Sequence, residues 1–527
     1  MPNCTHCQAP FTITPEDHTF YKKLVVPPPT FCPQCRLQRR LVFRNERHLY
    51  QRLCDLCGKT MVAIFKPSAP FPVYCRSCWW SDQWDPTTYG RDVDWTRPFF
   101  EQFTELFQIV PKAGTMQIDN ENSEYNALLA FSKNTYMSPG SYLMESCFYV
   151  RKSQSCKDCL NSAFLNKCEL VADSTNCDTC YASHHLINSQ GCSFSSYLMD
   201  CSNLQHSLMC CGVQNQQYCF KNKAMSPAEF AKILATYKTK PAKEVEREFK
   251  EFCAGQPKRA QIQVNCEGST GDYLFNCHNA IECYDCFDVD NGKYLLESND
   301  IKDSMDLSMH DKEIELCYEV CAGGEKNYLT KFSFCPVAAP ECEYTYACFH
   351  LKNSFGCDGF HSPGQYYILN KPYTETAYKT ARARLIEHMT RTGEYGEFFP
   401  SVLSPFAYNE SAAQDYLPLT KELAIAQGFL WNEDDKPEKT TLSKYNCDQC
   451  GNPFRMLEQE KILYKKIDVP EPGSCIDCRF KKLRQWKNPR QLYERTCIRC
   501  QKAIQTTYAP NRPEQVYCEE CYRQLVY

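Results

Sequence analysis

A net charge of −4 over 527 residues excludes a uniformly basic nucleic-acid coat, and 43% hydrophobic content suffices for ordinary cores. No run of 18 apolar residues exists to cross a bilayer, and the chain opens on a cysteine pair (Cys4, Cys7) with no apolar leader core, so a soluble, cytoplasmic protein without a signal peptide is expected. In a reducing compartment its 38 cysteines are expected to be metal ligands or buried thiols rather than a disulfide framework, and the length predicts three or four domains.

In chain order the first feature is a set of four Cys-x-x-Cys pairs: Cys4/Cys7, Cys32/Cys35, Cys54/Cys57 and Cys75/Cys78. The set recurs 443 positions later as Cys447/Cys450, Cys475/Cys478, Cys497/Cys500 and Cys518/Cys521, with the same intervals of 24, 18 and 17 residues between pairs. The two ends therefore read as copies of one module. A turn between thiolates two residues apart points both sulfurs at one ion, and two such knuckles complete a tetrahedral Cys4 site. Sixteen thiolates predict about four structural zinc ions per chain, with no open coordination position for catalysis. A redox motif does not recur in fours at fixed spacing. Closing each pair onto the next makes the shortest loops, whereas a cross-braced module would join first to third; the sequential pairing is the favoured reading.

The segment following Cys35 is basic and amphipathic. Leu37, Leu41 and Phe43 space a short helix over 36–47 that leaves the knuckle as in a treble clef, and Arg36, Arg39, Arg40, Arg44 and Arg47 line it. The C-terminal copy keeps this character through Arg479, Lys481, Lys482, Arg484 and Lys487. Residues 1–60 hold nine Lys/Arg against four Asp/Glu. Two readings stand: these side chains offset the negative zinc–thiolate centres, or they meet phosphate.

Four of the six tryptophans fall in 79–95, and Phe99, Phe100, Phe103, Leu106 and Phe107 form an aromatic stripe at helical spacing after Pro98, expected as core that closes the N-terminal module. From about residue 117 the texture becomes short polar runs with cysteines at 147, 156, 168, 177, 192, 201, 210 and 219, every interval a multiple of three. This pattern predicts β-solenoid coils with inward ladders of small side chains, and 262–370 repeats it. The two blocks end alike. Asn222-Lys223 followed by Ser226 matches Asn370-Lys371 followed by Thr374 at a shift of 148. Ser226, Pro227 and Glu229 make a capping box for one helix to roughly Phe252, and Thr374 caps another to about His388, each able to cover an open solenoid end.

Of the 22 central cysteines, Cys156, Cys159, Cys177 and Cys180 form two knuckles 21 residues apart, about one coil, a candidate additional metal site. Interior thiol ladders are the alternative. The acidic stretch 432–439 reads as the linker into the C-terminal module.

Cys32-Pro-Gln-Cys-Arg-Leu-Gln-Arg-Arg40, Arg44-Asn-Glu-Arg47, Val73-Tyr-Cys-Arg-Ser-Cys-Trp-Trp-Ser-Asp82, Tyr89-Gly-Arg-Asp92, Arg97-Pro-Phe-Phe-Glu-Gln-Phe103, the two Asn-Lys endings and Ser404-Pro-Phe-Ala-Tyr-Asn409 carry a resemblance over nearly the whole chain. The sequence resembles uncharacterised cysteine-rich zinc-ribbon proteins of candidate-phylum bacteria. The resemblance implies the architecture and a bacterial source, and no activity.

The expected fold is mainly β with small α segments: two solenoid blocks with capping helices (115–225 with 226–261, and 262–373 with 374–443) between double zinc-ribbon modules of treble-clef type at 1–114 and 444–527. The expected function is a non-enzymatic scaffold whose terminal basic helices contact RNA, DNA or a nucleoprotein assembly. A purely protein-binding scaffold is the alternative. A carbohydrate-acting β-helix enzyme is the third reading, but no catalytic carboxylate cluster is found. His184, His185, His278 and His361 are read as solvent-facing or core residues. No small-molecule substrate and no membrane partner are expected.

Overall fold

A computed structural model describes residues 1–309, 311–433 and 445–526 of the chain. The expected acidic linker lies outside the described residues from 434 onward. The chain is mainly β, with two runs of stacked solenoid coils, helices that follow each run, and cysteine modules in its terminal segments.

Each coil of the first block takes twelve residues. Phe148 lies beside Leu160, His184 beside Ser196 and Ser196 beside Leu208, all in parallel register. Every third residue turns the corner with positive φ, from Ser146 and Tyr149 through Asp158, Asn161 and Lys167 to Asp173, so one coil has four three-residue sides. A left-handed L-residue costs about 1–2 kcal/mol, and Asn and Asp bear it best. Asn176, Asn188 and Asp200 accordingly occupy one corner column, and their side chains link coil to coil at 2.9 Å.

This geometry leaves the inward residue's N–H without a backbone acceptor in the neighbouring coil, and a buried unpaired N–H is costly. Inward serines supply it. The N–H of Leu165 donates to Ser153 Oγ at 2.9 Å, that of Ser174 to Ser162 Oγ at 3.1 Å and that of Leu186 to Ser174 Oγ at 2.9 Å. Each hydroxyl in turn donates to a carbonyl two residues back, as Ser162 does to Leu160. Inward thiols donate in the same way, Cys168 to the Asn166 carbonyl at 3.3 Å. The small, polar, every-third-residue texture is thus the consequence of a coil too narrow for large side chains. In the second block the register is again twelve, as for Gly271 with Cys283, but Ile301 lies beside Ile314 and Glu315 beside Tyr328, which places one extra residue in each of two successive coils.

The expected single helix over 226–252 is two, Pro227–Lys238 and Ala242–Ala254, because Pro241 lacks an N–H and ends the first. Ser226 and Glu229 form the capping box. The helix after the second block runs Glu375–Thr392 from a Thr374 cap to Gly393 with φ 77°.

The chain groups into two compact units that do not follow sequence order. One comprises Met1–Thr115 with Ile262–Asp435, the other Met116–Gln261 with Lys436–Tyr527. In the first, the helix Phe99–Ile109 packs its stripe on the second solenoid block and the segment after it: Phe99 meets Phe355 at 5.4 Å between ring centroids, Phe107 meets Tyr346 at 4.8 Å, and Phe103 stacks on Phe399 at 4.9 Å. In the second, Val245, Phe249 and Cys253 of the cap helix join Tyr197, Met199, Met209 and Cys211 of the first block in one core.

Candidate metal centres and the basic helices

The sixteen terminal cysteines form four groups, Cys4/Cys7/Cys32/Cys35, Cys54/Cys57/Cys75/Cys78, Cys447/Cys450/Cys475/Cys478 and Cys497/Cys500/Cys518/Cys521, each with sulfurs within 4.8 Å of one another. The pairing is sequential. In each group the first pair sits on a tight turn: the amides of Gln8, Gly58, Gly451 and Gln501 return to the carbonyls of Cys4, Cys54, Cys447 and Cys497 at 2.9–3.0 Å, and all four have φ between 60° and 73°. Glycine enters that conformation freely at two of them. The second pair opens a helix. Cys32, Cys75 and Cys475 are the N-cap residues of Pro33–Leu41, Arg76–Trp79 and Ile476–Arg484, where the helix dipole favours anionic sulfur.

The sulfur spacing tests whether an ion fits. A tetrahedral ion with bonds of about 2.3 Å requires sulfurs about 3.8 Å apart. Cys7 and Cys32 lie 3.8 Å apart, Cys57 and Cys75 3.9 Å, Cys450 and Cys475 3.7 Å, Cys500 and Cys518 3.7 Å. Backbone amides also point at the knuckle sulfurs, Cys32 N–H to Cys4 Sγ and Cys75 N–H to Cys54 Sγ, both 3.2 Å. Cys35's thiol hydrogen bond draws the Cys32 thiol down to about 5. Four groups of this geometry can each hold a metal ion.

The basic helices are placed otherwise than expected. The N-terminal one spans Pro33–Leu41, shorter than the expected 36–47, and starts inside the knuckle. Arg36 donates to Asp306 at 2.8 Å and to the Phe31 carbonyl at 2.7 Å. Arg39 bridges Glu319 and Glu397, both at 2.7 Å. Arg40 lies 3.3 Å from Asp306, with both side chains fully buried. Arg44 pairs with Glu46 at 2.6 Å, and half-buried Arg47 with Asp415 at 2.7 Å. Arg36, Arg39, Arg40 and Arg44 are buried, so these guanidinium groups do not form a phosphate-facing surface. Arg36, Arg39, Arg40 and Arg47 hold carboxylates of the second solenoid block and the segment that follows it, and Arg44 holds Glu46 of its own module. Asp306 and Glu319 are corner residues with positive φ, which aims their side chains outward at the docked helix.

The C-terminal copy docks by the same residue. Arg479, 443 positions after Arg36, is buried and donates to Asn161 at 2.7 Å, Tyr464 at 2.9 Å and Glu460 at 3.0 Å. Glu460 is itself the counterpart of Asp17, and each caps a helix and meets a cation, Asp17 pairing with Lys293 at 2.7 Å. Lys482 pairs with Glu246, and Lys487 sits 3.7 Å from the Phe164 ring centroid. Lys481 is exposed, and Arg484 is half-buried beside Phe480. The carboxylates outside the modules, Glu246, Asp306, Glu319, Glu397 and Asp415, were not found from sequence because each lies 236 to 368 residues from its partner.

The candidate fifth site is not assembled. Cys156 and Cys180 share one interior column with Cys168 and Cys192, two coils apart, while Cys159 and Cys177 belong to other columns, because a coil is twelve residues and not 21. Among the described residues only the four terminal groups converge. Cys147, Cys156, Cys159, Cys168, Cys177, Cys180, Cys192, Cys201, Cys210 and Cys219 line the interior of the first block and Cys277, Cys283, Cys286 and Cys317 that of the second, whereas Cys211 and Cys253 pack where the cap helix meets the coils. Of the histidines, His184 and His185 meet Nδ1 to Nδ1 at 2.9 Å, with burial holding His184 down to about 3, His278 pairs with Asp290 at 3.0 Å, and His361 packs on Trp84 at 4.6 Å.

Among the described residues no helix is long and apolar enough to cross a membrane. No protein-family model and no curated protein matches the chain.

Proposed function

We propose that this protein is a non-enzymatic, protein-binding scaffold in which four structural zinc ions hold two docking modules against two solenoid blocks. The observation that carries this reading is the consumption of the basic helices by internal carboxylates, Arg36 and Arg40 on Asp306, Arg39 on Glu319 and Arg479 on Glu460. Closed Cys4 centres offer no coordination position for substrate. The surface left for a partner is the outer side of the coils, where Phe194, His206 and Tyr218 stack at 5.1 and 5.2 Å and Phe194 is 53% exposed. Aromatic residues at such exposure favour protein contact.

Elemental analysis of protein purified without chelator is expected to give about four zinc per chain; near zero or two rejects the assignment. Filter binding at low salt is expected to show no appreciable affinity for RNA or duplex DNA. A log–log salt slope steeper than about −3 on duplex, the signature of several neutralised phosphates, that flattens on replacing Lys481 and Arg484 would restore the nucleic-acid reading and remove this one.

A further inference from the structure

The internal duplication places two buried lysines identically. Lys112 lies on a short strand beside Val73–Tyr74, and Lys258 on one beside Val516–Tyr517, 443 positions further on. The amide of Lys112 donates to Pro72 and that of Lys258 to Gln515, both at 2.9 Å. Each ammonium reaches the last full coil of a solenoid block. The residue it meets there is also equivalent: Asp358 N–H donates to Asn370 Oδ1 at 2.9 Å, and Cys211 N–H to Asn222 Oδ1 at 2.8 Å, with the asparagine amide returning to the same residue's carbonyl in both.

The anion differs. Lys112 Nζ is 2.5 Å from Asp358 Oδ2 and also donates to the carbonyls of Phe107 and Val110. Among the described residues the hydrogen-bond partners of Lys258 Nζ are sulfur atoms, Met199 Sδ at 3.1 Å and Cys211 Sγ at 3.7 Å. Asp200, Tyr508 and Cys253 are further ionisable groups that act on it. A buried ammonium without a paired anion is strongly unfavourable. Cys211 occupies the carboxylate's place, and a thiolate supplies the missing charge. Cys253, on the cap helix Ala242–Ala254, packs with Cys211 in one buried cluster.

We infer that Cys211, Lys258 and Cys253 form a thiol–disulfide site, in which an ammonium-paired thiolate is oxidised by a hydroperoxide and then closed by the neighbouring thiol. The Cys211 thiolate attacks the peroxide oxygen, the O–O bond breaks, and the leaving alkoxide takes a proton, giving a sulfenic acid. The Cys253 sulfur attacks the Cys211 sulfur, the S–O bond breaks, and water leaves with the Cys253 proton. Two thiols and one hydroperoxide give one disulfide, one alcohol and one water. The product staples the cap helix to the last coil of the first block. Ammonium pairing lowers a thiol's pKa and raises its thiolate fraction, whereas the interior thiols Cys201 and Cys210 are held up, by burial and by a Cys219 hydrogen bond respectively.

The test treats the zinc-loaded full chain with stoichiometric hydrogen peroxide, quenches with an alkylating agent under denaturing conditions and maps peptides by mass. The expected product is a Cys211–Cys253 cross-link with zinc content unchanged and Cys201 and Cys210 reduced. Lys258→Met is expected to slow the cross-link by about tenfold or more through the lost thiolate fraction. Cys253→Ser is expected to leave a sulfenic acid on Cys211 that dimedone traps. Cys211→Asp is expected to fold with a Tm close to the parent's, because it rebuilds the Asp358 pair, while Cys211→Ala lowers Tm by several degrees. Equal oxidation of Cys201 and Cys211, no effect of Lys258→Met, or a Cys211→Asp protein no more stable than Cys211→Ala each overturns the inference.

Discussion

Asp306→Ala is expected to destabilise the first unit by about 3–5 kcal/mol, the range for removing one partner of a buried ion pair. Asp306 accepts from Arg36 at 2.8 Å and lies 3.3 Å from Arg40, and all three side chains are at most 1% exposed. The substitution leaves two guanidinium groups in low dielectric with Glu319 alone to share, and Glu319 already serves Arg39. Truncating both sides of the pair is expected to be milder, because no charge is then left buried and unpaired. The triple variant Arg36→Met, Arg40→Met, Asp306→Leu should therefore recover most of the loss. Guanidinium chloride unfolding of the whole chain should show two transitions in the single variant, with only one moved, since a chain of two compact units need not unfold in one step. If Asp306→Ala shifts neither transition, the arginines are not the docking contacts. Exchanging charge directly, as in Arg39→Glu with Arg40→Glu, brings carboxylates against Glu319, Glu397 and Asp306, and release of the module is the expected result rather than a graded loss of any surface property.

Cys35→Ser is expected to remove one zinc ion and the structure built on it. Structural zinc contributes about 10–16 kcal/mol of apparent binding free energy in small modules, so its loss outweighs any single side-chain contact. The helix that carries Arg36, Arg39 and Arg40 begins at Cys32 and contains Cys35, so the docking surface goes with the centre. Asp306 and Glu319 then lose their cations, and the second solenoid block should lose protection although the substitution is some 270 residues away in sequence. Residues 116–261 and 445–526 belong to the other unit and should stay protected. Limited proteolysis resolves this directly. Protected fragments from both solenoid blocks would show that the N-terminal module is not needed by its block, and loss of every fragment would show that the two units fold as one. The matching Cys478→Ser should give the converse pattern, since Arg479 follows it and reaches Asn161 of the first block.

Much of the metal chemistry was legible in the residues alone. Eight Cys-x-x-Cys pairs at repeated intervals carry their own geometry, because a knuckle is local and sequential closure follows from loop length. The caps at Ser226 and Thr374 and the aromatic stripe of Phe99, Phe103 and Phe107 were local in the same sense. The solenoid showed itself as a spacing in multiples of three, a direct imprint of one inward side chain per three-residue side. The coil length did not, because corner residues such as Tyr149, Lys152 and Leu170 adopt positive φ with side chains that do not announce it. What only the tertiary structure decided is which module joins which block and what the arginines do there. Local pattern presents Arg36, Arg39 and Arg40 as a basic face, and a basic face on a short helix implies solvent or phosphate. Their true partners, Asp306, Glu319 and Glu397, are brought to them by the crossing of the chain between units, and no sequence period records that. The same long-range pairing set a thiol, Cys211, where the other unit has a carboxylate. Burial and charge compensation are properties of the assembled fold, so the sign of a side chain could be read in advance and its partner could not.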